Sequence, residues 1–159
     1  DGIGYLTPGL SVTYAFSYSN PEFSNGTKWG QFVGLCDDVF CPADGDVSGN
    51  TLPRQSEKQA AMGLQYETDL GGMGFFARVD YTWQSKQYLE TMNFGWIAAR
   101  DSVNASVGIS GEHWAISAWG RNLMDETYVT NSLYIGSLRR YTPALNDGLN
   151  AGITATLTF

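Results

Sequence analysis

Residues 149–159 read LNAGITATLTF, and their pattern decides the fold. Leu149, Ala151, Ile153, Ala155, Leu157 and Phe159 take every second position, and Asn150, Gly152, Thr154, Thr156 and Thr158 take the others. Successive side chains of a β-strand point to opposite faces, so this is a strand with one apolar and one polar face. The period recurs upstream. GLSVTYAFSYS (9–19) sets Leu10, Val12, Tyr14, Phe16 and Tyr18 against Ser11, Thr13, Ala15, Ser17 and Ser19. KQAAMGLQYETDL (58–70) sets Ala60, Met62, Leu64 and Tyr66 against Gln65 and Glu67. MGFFARVDYTWQSKQY (73–88) opposes Phe75, Ala77, Val79, Tyr81 and Trp83 to Arg78, Asp80, Thr82 and Gln84. DSVNASVGIS (101–110) and HWAISAWGRNL (113–123) continue the pattern, giving six expected strands.

The connections alternate in length. A long segment at about 20–56 is followed by the tight DLGG turn, a medium loop near 89–100, the short SGEH turn and a loop at about 131–148. In an antiparallel meander alternate connections lie at opposite ends, so one end carries tight turns and the other large loops. Transmembrane β-barrels are built this way. Their strands need roughly 9–11 residues to cross the hydrocarbon layer, which these runs supply. Glu67, Arg78, Asp80 and Gln84 within strands suit a wet lumen, and Tyr18, Tyr66, Trp83 and Trp114 near strand ends suit interfacial girdles. A soluble antiparallel sheet with one solvated face explains the alternation too, but not the loop asymmetry combined with the strand length.

Composition agrees. Aromatic residues make up 14% and charged residues 16%, against roughly 25% charged in ordinary domains. No run approaches 18 apolar residues, so no transmembrane helix is expected. The net charge of −7 and the lack of a basic cluster argue against a nucleic-acid partner. The opening DGIGYLTPGL has no secretory signal, so a processed chain or a segment of a longer one is expected. Bacterial outer-membrane barrels start at eight strands, and an open sheet in hydrocarbon leaves backbone groups unsatisfied. Either two more strands lie in 20–56, where TKWGQFVGL has some strand character, or the six belong to a larger barrel.

AISAWGRNLMDETYV, followed by a loop and the final AGITATLTF, resembles the C-terminal end of TonB-dependent outer-membrane receptors. In that family the penultimate strand runs into an Asn-Leu-x-Asp-x-x-Tyr signature and the last strand ends in Phe. Here these are Asn122, Leu123, Asp125, Tyr128 and Phe159. GLSVTYAFSYSNPEF, the long loop, and GNTLPRQSEKQAAMGLQYE with Leu52 and Pro53 also resemble the family. The resemblance implies an all-β, antiparallel transmembrane segment of about six strands from a 22-stranded barrel. Residues 1–159 would be its C-terminal portion, with the plug domain and N-terminal strands absent.

It further implies a receptor in the bacterial outer membrane, not an enzyme and without a cofactor. Such a receptor imports a scarce bulky nutrient such as a siderophore, cobalamin or an oligosaccharide. Its partners would be the lipid bilayer and lipopolysaccharide, the rest of the barrel and the plug, and the TonB energy-coupling protein engaged through the missing N-terminal part. The alternative is a self-contained small barrel with a structural or adhesive role.

Cys36 and Cys41 in CDDVFC suit a structural disulfide in an oxidising compartment, since their spacing is not that of a redox or zinc pair. Asp44, Asp46 and Ser48 match the first half of a calcium loop, but Gln55 stands where the bidentate Glu belongs, so the acidic loop reading is preferred. Trp29, Phe32, Trp96, Tyr134, Arg139 and Arg140 are the ligand candidates of the outer loops: aromatic rings stack on sugars or rings, and arginine pairs suit carboxylates or phosphates. The same residues could pack the loops or meet anionic headgroups. His113, the only histidine, lies in the short turn beside Glu112 and near Ser110, an arrangement expected to be solvated rather than catalytic.

Overall fold

The computed structural model describes residues 1–29, 45–135 and 140–159. Eleven strands are present among them: β1 (Gly2–Thr7), β2 (Leu10–Tyr18), β3 (Lys58–Asp69), β4 (Gly74–Gln84), β5 (Gln87–Tyr88), β6 (Trp96–Ile97), β7 (Arg100–Ser110), β8 (Trp114–Arg121), β9 (Val129–Ile135), β10 (Arg140–Leu145) and β11 (Asn150–Leu157). Seven form one antiparallel sheet in the order β1-β2-β3-β4-β7-β8-β11. The pairs β5–β6 and β9–β10 are two-stranded ribbons within the loops.

Six strands of the main sheet are those read from the alternation, with ends shifted by at most two residues except for the third run, which extends to residue 88 while β4 stops at Gln84. The seventh, β1, escapes that reading because glycines stand on its apolar-side positions. Gly2 pairs with Tyr14 and Gly4 with Val12. A Cβ on Gly2 would lie 2.7 Å from the Tyr14 hydroxyl, so the ring of the neighbouring strand fills the space that a β1 side chain would take. The expected loop at 131–148 is likewise corrected: it contains the β9–β10 hairpin, whose Asn, Ser, Thr and Arg residues give no period-2 signal. The described part of the TKWGQFVGL stretch contains no main-sheet strand; Lys28 forms an isolated antiparallel bridge with Asp46.

Register makes the two faces continuous. One row across the sheet is Leu10, Tyr66, Ala77, Val107, Ala118 and Ile153. The adjacent row is Ser11, Gln65, Arg78, Ser106, Trp119 and Gly152. A one-residue slip would exchange these faces along a whole strand, so the pattern fixes the pairing. The apolar face has no cover: Ile153 is 78% exposed, Leu157 69% and Phe16 65%. Among the described residues the only buried apolar side chains are Val47, Met92 and Ile97, all outside the main sheet. A hydrophobic sheet of this extent is not solvated by water in a stable protein.

The tight turns between β1 and β2, β3 and β4, and β7 and β8 share one end of the sheet with Phe159. There the Thr158 amide donates to the His113 carbonyl at 2.8 Å. The three long connections share the other end. At about 3.3 Å per residue, the 11-residue strands β4 and β7 span about 36 Å. Tilted by roughly 45°, they cover about 25 Å, the height of the lipid-facing band of a membrane barrel.

Candidate functional site

Among the described residues the polar face of the main sheet holds one ion pair. Arg78 Nη2 lies 2.6 Å from Asp80 Oδ1, Arg78 Nε donates to Asp80 Oδ2 at 2.8 Å, and Arg78 Nη1 donates to Gln65 Oε1 at 2.7 Å. Gly63 makes room for this cluster, since a Cβ there would sit 2.8 Å from Asp80 Oδ1. The pair satisfies itself, so it is wall chemistry rather than a vacant binding group.

Toward the long-loop end, two further polar rows run Ser17, Gln59, Gln84, Arg100 and Ala15, Ala61, Thr82, Ser102. They line a cavity of about 320 Å³ that Tyr128 also borders. A second cavity, of about 450 Å³, lies between Trp96–Arg100 and Glu126–Val129. Arg100 and Tyr128 belong to both. The Arg100 guanidinium carbon lies 5.8 Å from the Tyr128 ring centroid, a cation–π contact. Nη1 of Arg100 is buried without a hydrogen-bond partner.

Above the sheet the loops interlock. Val47 and Met92 are buried together, with Phe23 and Trp29 packed against them, which joins the β2–β3 connection to the β4–β7 connection. Asn93 adds two bonds to Thr51: its Oδ1 accepts from the amide at 2.7 Å, and its Nδ2 donates to the carbonyl at 2.9 Å. Glu90 is the hub of the second loop. Its Oε2 accepts from the Met92 amide at 2.7 Å, and its Oε1 accepts from the Gly95 amide at 2.7 Å and the Tyr141 hydroxyl at 3.1 Å. The Tyr141 ring, on β10, lies against Gly95, where a Cβ would approach it to 2.6 Å. Three loops distant in sequence thus form one assembly.

The Asn-Leu-x-Asp-x-x-Tyr residues hold the base of that assembly. Asn122 and Asp125 both have positive φ, 50° and 51°, a conformation that Asn and Asp tolerate better than most side chains. Asn122 Nδ2 donates to the Glu126 carbonyl at 2.9 Å, and its Oδ1 accepts from the Glu126 amide at 3.2 Å. Asp125 Oδ1 accepts from the Leu149 amide at 2.8 Å, one residue before β11. Asn146 Oδ1 accepts from the Tyr128 amide at 2.8 Å. Leu123 packs over Gly120, and its amide donates to the Val103 carbonyl at 2.9 Å. The signature therefore ties β7 and β8 to the start of β11.

Of the sequence candidates, Trp96 is 61% exposed and lines the second cavity, Arg140 is exposed, and Trp29 packs into the loop core. Phe32, Arg139, Cys36, Cys41 and Asp44 lie outside the described residues, as does the side chain of Tyr134. Asp46 Oδ1 accepts from the Ser48 amide at 2.9 Å and from its hydroxyl, a local turn of the acidic loop. His113 is 70% exposed, 3.7 Å from Glu112. The reading from sequence placed Gln84 on the lumen face but passed over Arg100 and Gln59. Arg100 shares the polar-side parity of Ser102 and Asn104 at the long-loop end, a signal that points to a lumen-facing cation.

No protein-family model and no curated protein sequence matches the chain. Solved structures do. The chain is similar to the ferric yersiniabactin uptake receptor FyuA from Yersinia pestis, with a TM-score of 0.80 and 20% identity over 99% of this chain and 22% of the other. It is also similar to the siderophore receptor PiuA (TM-score 0.70, 18% identity) and to BauA, the ferric preacinetobactin receptor (TM-score 0.65, 16% identity), both from Acinetobacter baumannii. Each of those two matches covers 96% of this chain and 20% of the other. The chain thus has the fold of a barrel-wall segment from such receptors, and spans about a fifth of their length.

Proposed function

We propose that this chain is the C-terminal wall of a TonB-dependent receptor in the bacterial outer membrane. In that reading the apolar face meets lipid, the Arg78–Asp80 face lines the lumen, the tight turns face the periplasm, and the interlocked loops face the outside. The observation that carries it is the uncovered apolar face of a meander whose long connections all lie at one end. The similarity to a ferric yersiniabactin uptake receptor and a ferric preacinetobactin receptor supports a ferric chelate as cargo. The plug and the remaining strands would complete the barrel, because among the described residues the outer edges of β1 and β11 have no partner strand. The receptor itself performs no bond chemistry: it binds, and energy passed through TonB drives release into the periplasm.

The test is uptake of radiolabelled ferric chelates by cells that carry the receptor as their only ferric-chelate transporter. Accumulation of at least one chelate that disappears when the energy-coupling protein is deleted is the expected result. Uptake equal in cells with and without the receptor, across the panel, would refute the transport reading.

A further inference from the structure

The polar lining of the upper cavities ends in a cation with no counter-charge. Among the described residues the Arg100 guanidinium makes no ion pair and donates no side-chain hydrogen bond, while one of its nitrogens is sealed from solvent. Leaving a buried guanidinium donor unsatisfied is costly, and such a group in a native fold calls for a missing partner. The nearest acidic residues do not supply it. Asp101 occupies an apolar-side position opposite Trp83, and Glu126 borders the second cavity without pairing with Arg100. The guanidinium carbon lies within cation–π range of the Tyr128 ring, 5.8 Å from its centroid, a contact that does not neutralise its charge. Gln59 and Gln84 border the first cavity on the same row, and Trp96 borders the second with most of its surface exposed.

We propose that Arg100 is the anion-binding residue of this vestibule and takes a carboxylate of the imported ligand, while the Tyr128 and Trp96 rings hold the ligand's apolar ring. A planar guanidinium fork matches a carboxylate with two parallel hydrogen bonds, and its geometry suits that pairing better than a lysine's point charge. Cavities of about 320 and 450 Å³ on either side of the pair fall in the usual size range of small-molecule sites. The proposal rests on the receptor reading for the word "imported", but not for the binding itself.

The experiment uses the receptor purified from outer membranes in detergent, with 2-naphthoate and its uncharged isostere 2-naphthamide as probes in equilibrium dialysis. Saturable 2-naphthoate binding is expected, with 2-naphthamide bound about ten- to a hundredfold more weakly, the range for one charge-assisted pair. Arg100→Met brings 2-naphthoate down to the level of 2-naphthamide and leaves the amide unchanged. Arg100→Lys, which keeps the charge and loses the fork, falls between. Absence of saturable 2-naphthoate binding, or equal binding of the two probes to the wild type, overturns the proposal even if Arg100→Met fails to fold. Unchanged 2-naphthoate affinity in a folded Arg100→Met receptor that still takes up ferric chelate retires the site and leaves the transport reading standing. Binding as described in a receptor that mediates no uptake does the reverse.

Discussion

At the level of single residues, the signature stretch shows how a motif can be structural without touching a ligand. Asn122 is 6% exposed, and its side chain closes a loop that no regular strand pairing could close. Two effects oppose its replacement: the loss of the side-chain partner of the Glu126 amide and carbonyl, and a left-handed backbone that Ala adopts only at a cost of about 1–2 kcal/mol. Asn122→Ala is expected to lower stability by about 2–4 kcal/mol in urea unfolding of the folded receptor. Asn122→Gly keeps the backbone conformation and loses only the side-chain bonds, so its deficit is smaller by about 1 kcal/mol. Equal losses in the two variants would remove the backbone part of the explanation. The motif was visible in the sequence, but its work was not, because Leu149 and Asn146 become its partners only once the chain has folded back beside β8.

Among the elements, the main strands were legible and the loops were not, for a physical reason. Strands that separate lipid from lumen carry a strict period of two, and six of the seven could be read from it. Strand β1 hides because Gly2 and Gly4 stand on its apolar side, Gly2 beneath the Tyr14 ring, and its Ile3 and Tyr5 pair with Thr13 and Ser11. The outer loops obey no period, since each is stabilised by contacts with another. Glu90 reads in the sequence as an ordinary loop carboxylate, yet it gathers two amides of its own loop and a hydroxyl from β10. Hydrogen exchange separates these bonds. Tyr141→Phe should speed exchange of the β9–β10 amides by roughly fivefold, the equivalent of one hydrogen bond of about 1 kcal/mol, and leave residues 85–97 as they were. Glu90→Ala should speed both segments. A uniform response to the two substitutions would mean that the hairpin and the second loop open as one unit.

For the whole molecule, the central point is that the sheet is incomplete by its own physics. Its large apolar face has nothing beneath it, its edge strands present free backbone groups, and its buried apolar residues sit in the loops. Water would not tolerate the face, and hydrocarbon would not tolerate the edges. Closure with further strands removes both problems at once, which is why a barrel larger than these seven strands is required. The most direct test is to refold residues 1–159 alone in detergent micelles, beside the full-length protein, and to follow protease resistance and heat-dependent migration in gels. The full-length protein should give a compact, protease-resistant species that shifts on heating, and the isolated segment should give none. A discrete folded barrel formed by the 17.4 kDa segment itself would contradict the larger-barrel reading.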